Sequence, residues 1–409
     1  MKAAEGADAR SFDPHIEGLR GYAALSVLLL HQSFFPGPGP GVEGVLSWVR
    51  RFSDGATGVK VFFVLSGYVI GLTTSQAAPS GPNVWSYLER RLVRLAPINF
   101  FAVLLGCAVA TSLDWRSVVG SLFFLENYSG YGKFYLPPPD TNGNLWTLNY
   151  EALFYLLFVL VWVLKPRSWA LFASFLGLAV FLWRGESSWL TVSCYSCGFL
   201  FWLSGLFLSR SPDAPDPGRG CISLTTVILL VVTPKIQALG PLIHRLPWAW
   251  ATPIFPGAVM KLQDLSILPV CVVLVAEAAG RPFRGLALVR CFAFLVALHG
   301  YFMIQGEPEG LPRLFYTVLL AAALLGWKVR LPRQLLSGAA WLGAISFALY
   351  ATGYPIQLWV FSMHPQDTLA AVAVDLVLVL GIVIGFSWFL EKRVQPWVRT
   401  LLPKPAKYR

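Results

Sequence analysis

Charge is scarce in this chain: 13% of its 409 residues are Asp, Glu, Lys or Arg, against about 25% in a typical soluble domain. Set beside 56% hydrophobic residues, that deficit excludes a water-soluble fold. Cysteine is equally thin. Cys107, Cys194, Cys197, Cys221, Cys271 and Cys291 lie mostly within or beside apolar runs, which excludes a disulfide framework. Cys194 and Cys197 have the spacing of half a zinc site, but no second pair or His follows, so they read as small helix residues and no metal is expected. Alternation of apolar and polar residues is missing too, which excludes barrel strands and leaves helices as the means of crossing lipid. The basic excess, +11 overall, is broken into short clusters between apolar runs, which argues against nucleic acid as a partner. Met1 to His15 is polar and mixed in charge, unlike a cleaved signal peptide.

What the chain has in abundance is apolar sequence long enough to cross a membrane, roughly 20 residues per span. Runs fall at 20–36, 57–74, 96–113, 146–165, 168–184, 190–208, 221–235, 264–280, 285–305, 311–328, 335–361 and 368–390. They predict an all-α polytopic transmembrane bundle of about ten to twelve spans. With the N-terminus in the cytoplasm, the clusters Arg90, Arg91 and Arg94, then Lys328, Arg330 and Arg333, then Lys392 and Arg393 all fall inside, as most of the Lys and Arg do. Both termini are then cytoplasmic. The expected organisation is one transmembrane domain over 1–395 and a short basic cytoplasmic tail over 396–409. Two long outward loops, 37–56 and 114–145, remain. The second carries Tyr128, Tyr131, Tyr135, Pro137, Pro138, Pro139 and Asp140, and either shapes an acceptor site or merely connects helices.

Four stretches carry ionisable or polar groups where lipid makes them costly. In the first span, Glu17-Gly18-Leu19-Arg20-Gly21 leads to His31. At 1.5 Å per residue Arg20 and His31 are about 16 Å apart along a helix, placing Arg20 near the cytoplasmic face and His31 past the midplane. An imidazole there is either a base for a hydroxyl proton or a boundary histidine satisfied by a loop. In the second span, the pair Ser66-Gly67 within Phe62 to Tyr68 offers one hydroxyl, or simply close helix packing. Arg90-Arg91-Leu92-Val93-Arg94 precedes Pro97, which is expected to begin the next helix. Arg91 and Arg94, three apart, share a helical face and either fork onto the phosphates of an anionic donor or set topology against lipid phosphates. In Trp146 to Tyr155, Glu151 lies near the outward boundary and Tyr155 a turn deeper. That carboxylate either orients His31 and stabilises its imidazolium, or pairs with a basic residue. Lys60 and Asp375 either form structural pairs or face a cavity, and His299 and His364 receive no role.

In this order the stretches resemble the acyltransferase-3 family of membrane acyltransferases. The matching segments are Glu17 to Gly21 with His31, Gly58 to Tyr68, Arg90 to Pro97 and Trp146 to Tyr155. Leu342 to Tyr350 with Tyr354-Pro355, and Glu391 to Pro396, are similar to the family's last two helices. The resemblance implies a ten-helix core that takes an acyl group, usually acetyl from acetyl-CoA, at the cytoplasmic face and places it on a hydroxyl of an extracytoplasmic glycan or lipid-linked sugar. It assigns Arg20, Arg91 and Arg94 to the acyl-CoA donor, and His31 and Glu151 to catalysis, with Ser66 and Tyr155 as accessory groups. Membrane lipids are the other expected contact, self-association is left open, and the bacterial inner membrane is the expected location. Two departures stand out. The family's His before the late Tyr-Pro pair is here Gly353. Many relatives also append an extracytoplasmic esterase-like domain, so this chain is expected to finish the transfer itself or hand on to a separate protein. The rival from another class is a transporter or flippase of a lipid-linked sugar that uses His31 and Glu151 as a proton relay. A nucleotide-sugar glycosyltransferase is disfavoured by loops with no room for its domain.

Overall fold

The computed structural model describes residues 13–32, 55–75, 77–126, 140–183, 188–211, 220–236, 238–243, 245, 260–303, 313–363 and 368–401, without the side chains of 30–32, 140, 188 and 241. Among them the secondary structure is helical apart from isolated β-bridge positions, such as that joining Ser223 and Arg330. The principal helices are α1 Pro14–Gln32, α2 Gly55–Thr74, α3 Gly81–Val109, α4 Trp115–Leu122, α5 Trp146–Leu164, α6 Ser168–Phe181, α7 Ser188–Ser209, α8 Leu224–Ile236, α9 Leu268–Ala278, α10 Leu286–Met303, α11 Arg313–Leu325, α12 Ser346–Phe361 and α13 Leu369–Phe389. Six stretches of described helix are long and apolar enough to cross a membrane, and α6 and α8 are shorter apolar helices. The protein is an all-α polytopic membrane bundle.

Two corrections to the sequence reading concern boundaries. The third span begins far earlier than residue 96: α3 runs unbroken through Arg90, Arg91 and Arg94, and Pro97 lies inside it. A proline costs that helix one backbone bond, a loss membrane helices tolerate because neighbouring groups take over the freed carbonyl. The run at 335–361 is broken, with short helices Arg333–Gly338 and Ala340–Gly343 separated from α12 by a turn.

The chain divides into two compact units. The first holds residues 1–23, 56–75 and 167–343, and the second 24–55, 76–166 and 344–409, so α1 changes unit between Ala23 and Ala24. In the first unit small residues bring backbones together, as expected where lipid removes any hydrophobic drive between helices. A Cβ on Gly67 would stand 1.9 Å from the Trp202 carbonyl oxygen, and one on Gly205 would stand 1.9 Å from that of Val64. α2 and α7 therefore cross at van der Waals contact. Gly18 and Gly21, three apart on one face of α1, press likewise on Leu336 and Leu342, while Gly343 presses back on Glu17. Nearby, the buried Lys60 amine pairs with Asp264 at 2.9 Å.

In the second unit α3, α5 and α12 are tied by polar groups. Pro355 has no N–H, so the carbonyl of Ala351, four residues earlier, loses its helical donor. Asn142 supplies one: its amide donates to Ala351 O at 3.2 Å and to Ala102 O of α3 at 3.0 Å. The Tyr350 hydroxyl donates to Asn144 O and accepts from Thr147 Oγ1, fixing the start of α5 against α12.

Candidate functional site

The residues flagged from sequence divide between the units: Arg20 and Ser66 belong to the first, and His31, Arg91, Arg94, Glu151 and Tyr155 to the second. The structure brings Arg91, Glu151 and Tyr155 together, which corrects the expectation that Glu151 lies near the outward boundary: it shares the level of Arg91, because α5 runs past the arginine-bearing turn of α3. On α5, Tyr155 lies one turn beyond Glu151, and its hydroxyl donates to the Glu151 carboxylate. On α3, Arg91 lies one turn beyond Tyr87. Its guanidinium carbon stands 5.4 Å from the Tyr87 ring centre and 5.5 Å from that of Tyr155, over the corner where the two rings meet. Each such contact stabilises a partly desolvated cation by about 0.5–2 kcal/mol.

The cage is itself held by aromatic packing. Tyr87 meets Tyr155 edge-on at 6.3 Å, Phe158 at 5.2 Å and Trp162 at 6.1 Å. Trp162 is anchored in turn by donation from its indole N–H to Ala77 O at 3.2 Å. Arg91 Nε is buried with no hydrogen-bond partner, so the guanidinium retains a donor for an incoming acceptor. Arg94, three residues on, acts electrostatically on the Tyr155 phenol, and its carbonyl accepts from Gln395 at 3.2 Å. Arg90 turns to Ser86 Oγ at 2.8 Å.

Other flagged residues have different surroundings. Arg20 is paired with Glu17 at 2.9 Å, so the charges of the Glu-Gly-Leu-Arg-Gly stretch face each other while its glycines face the neighbouring backbone. Ser66 Oγ accepts from the Trp202 indole at 3.3 Å. The His31 side chain lies outside the described residues, as do Tyr128, Tyr131, Tyr135, Pro137, Pro138, Pro139, His364 and the side chain of Asp140. The helix bearing His31 is pinned one turn earlier, where Gln357 of α12 donates to Leu28 O at 2.8 Å. At Gly353 a Cβ would stand 2.6 Å from Leu28 Cδ1, so Leu28 fills the space beside the position where the family's histidine is expected.

Sequence reasoning missed Tyr87 and Glu126. Tyr87 carried a usable signal, being four residues before Arg91 and hence on its face. Glu126 carried none. It follows the non-glycine Phe124, whose φ of 59° marks a tight turn that Asn149 of α5 holds by donating to its carbonyl. The carboxylate is fully buried with neither oxygen hydrogen-bonded, and burial pushes its pKa well above the ordinary range. No group of three or more His, Cys, Asp or Glu among the described residues could hold a metal ion.

The helical bundle, the arginine cage and the carboxylate one turn from a phenol are joined by a decisive finding. The acyltransferase domain model of the acyltransferase 3 family matches residues 13–392. This chain belongs to that family. The family match takes in α1 through α13, including both halves of the arginine cage. Among curated proteins the chain is similar to peptidoglycan O-acetyltransferase OatA of Listeria monocytogenes serovar 1/2a, with 30% identity over 198 residues, 42% of this chain and 29% of that protein. It is also similar to O-acetyltransferase OatA of Staphylococcus aureus (strain NCTC 8325 / PS 47), with 28% identity over 167 residues, 36% of this chain and 24% of that one. The match thus spans less than a third of either relative's length. No solved structure matches.

Proposed function

We propose that this protein moves an acyl group, acetyl by analogy with its relatives' names, from a cytoplasmic acyl-CoA thioester to a hydroxyl of an extracytoplasmic or lipid-linked glycan, peptidoglycan being the acceptor class that the Listeria relative's name favours. The observation that carries the reading is the Arg91 cage beside Glu151 in a chain of the acyltransferase 3 family. A guanidinium steadied by aromatic faces, with one N–H unspent, is suited to a phosphate oxygen. Arg91 and Arg94 bind the donor's phosphates at the cytoplasmic mouth. His31 accepts the proton of the sugar hydroxyl as its oxygen attacks the thioester carbonyl carbon. The new C–O bond forms, the C–S bond breaks, and the departing thiolate takes a proton to leave as free thiol. Glu151 orients the imidazole and stabilises its protonated form, and Tyr155 holds Glu151 by the hydroxyl it donates. Both termini are cytoplasmic in this reading, the membrane is the bacterial plasma membrane, and residues 1–395 act as one transferase unit ahead of a basic tail.

The test uses membranes carrying the full chain, supplied with acetyl-CoA and a peptidoglycan precursor. Free thiol should appear in step with acyl mass on the glycan. His31→Ala should lower both about 10²- to 10⁴-fold at unchanged expression. A His31→Ala protein that esterifies at the wild-type rate overturns the mechanism, and glycan translocation without thioester loss overturns the function.

A further inference from the structure

A second cation in the first unit is buried without adequate partners. Arg281, in the turn after α9, is 5% exposed. Its Nη2 donates to Ser211 O at 2.7 Å, just past the end of α7, while Nε and Nη1 are buried with no hydrogen-bond partner. Tyr68 of α2 lies against it, its ring centre 6.0 Å from the guanidinium carbon and its phenol interacting with that cation and, less strongly, with Asp13. His15, at the start of α1, is also buried, and its Nδ1 makes no hydrogen bond although Asp13 Oδ1 is 3.3 Å away. Gly220 lies beside that ring: a Cβ there would stand 3.3 Å from His15 Nδ1 and 2.4 Å from Ala278 O of α9.

The carbonyl ends of α7 and α9 temper a positive charge, but they leave the three N–H groups of Nε and Nη1 without acceptors, the Tyr68 phenol interacting with the guanidinium without meeting them. A buried donor left unmade carries its full desolvation cost, and a charged oxyanion is the acceptor best matched to the donors a guanidinium has left. A structural cap would spend those donors on carbonyls, as the Nη2 does.

We propose that Arg281, with His15 and Tyr68, forms a binding pocket for a phosphate group. The chemistry is shared by the phosphates of a soluble nucleotide thioester and by the headgroup of an anionic phospholipid. Because the readout is binding, the proposal stands or falls separately from the acyl-transfer reading.

The experiment uses the purified full chain in neutral detergent, titrated with inorganic phosphate and with coenzyme A, and in nanodiscs with and without phosphatidic acid. Affinities come from calorimetry and lipid retention from native mass spectrometry. Arg281→Gln should weaken the bound probe about 10- to 100-fold, the range expected for lost charge-assisted hydrogen bonds, and Arg281→Lys should recover only part of it. Should Arg281→Gln fail to fold, His15→Gln is the second variant, expected to weaken the same probe severalfold. Coenzyme A binding that is weakened by Arg281→Gln and kept by Arg91→Lys identifies a nucleotide phosphate, retention of phosphatidic acid that depends on Arg281 a lipid phosphate, and either result supports the pocket. Equal binding of every probe by wild type and variants, or no binding by wild type, overturns it.

Discussion

The neighbourhoods of Glu277 and Arg91 bury charge in opposite ways. Glu277 of α9 is saturated: its oxygens accept from Ser223 N, Ser223 Oγ and Thr226 Oγ1, and from Arg290 at 2.6 Å and Arg330 at 3.3 Å. Arg91 is held by ring faces and keeps a buried donor unspent. A carboxylate that has used its acceptors can only hold α8, α9 and α10 in register. A cation held by aromatics is positioned but still able to bind. The contrast separates structural charge from charge kept available.

The largest effect should come from breaking the saturated side. Glu277→Ala leaves Arg290 facing a buried void, and removing one partner of a buried pair costs about 3–5 kcal/mol. Thermal unfolding in detergent should show a large loss of folded protein, and a Glu277→Ala variant with near-wild-type stability would erase the distinction. Next is Arg91→Lys, which keeps the charge but loses the planar fork that sits over Tyr87 and Tyr155. Steady-state kinetics should show a rise of about tenfold or more in the donor KM with the fold intact; an unchanged KM would move the donor elsewhere.

The smallest effect concerns Glu126, a carboxylate with neither oxygen satisfied. Its folded pKa is raised above the unfolded value of 4.5, so the folded state holds its proton longer. Stability is therefore complete below the unfolded value and is lost as pH rises from there toward the folded pKa. Glu126→Gln keeps the shape without the ionisation. It should match wild type in acid and gain in relative stability as pH rises, which unfolding curves across the pH range would record. A constant difference at all pH values would mean that burial does not govern this group.

How far the sequence led can be judged from individual residues. Tyr155 and Glu151 were legible as a pair because helical spacing places residues four apart on one face. Arg91 was legible as a cation near a helix face, but its capture by Tyr87 and Tyr155 was not, since the rings come from helices over sixty residues apart in sequence. Pro97 misled because proline favours a first helical turn, whereas here it is carried inside a longer helix. Glu126, Glu277 and Arg281 gave no signal: each sits at or near the end of a helix, where a charged residue reads as a solvated edge.

The amino-acid sequence alone determined that the chain lives in lipid as helices, because too little charge and long apolar runs leave no other way to satisfy the backbone. It also determined that Arg91 and Arg94 share one face of their helix and that Tyr155 follows Glu151 by one turn, since that follows from a local period. Only the tertiary structure decided which charges are neutralised and which are left wanting, as with Glu277 and Arg281. That balance depends on donors and acceptors brought from distant segments, and no local pattern encodes how they meet.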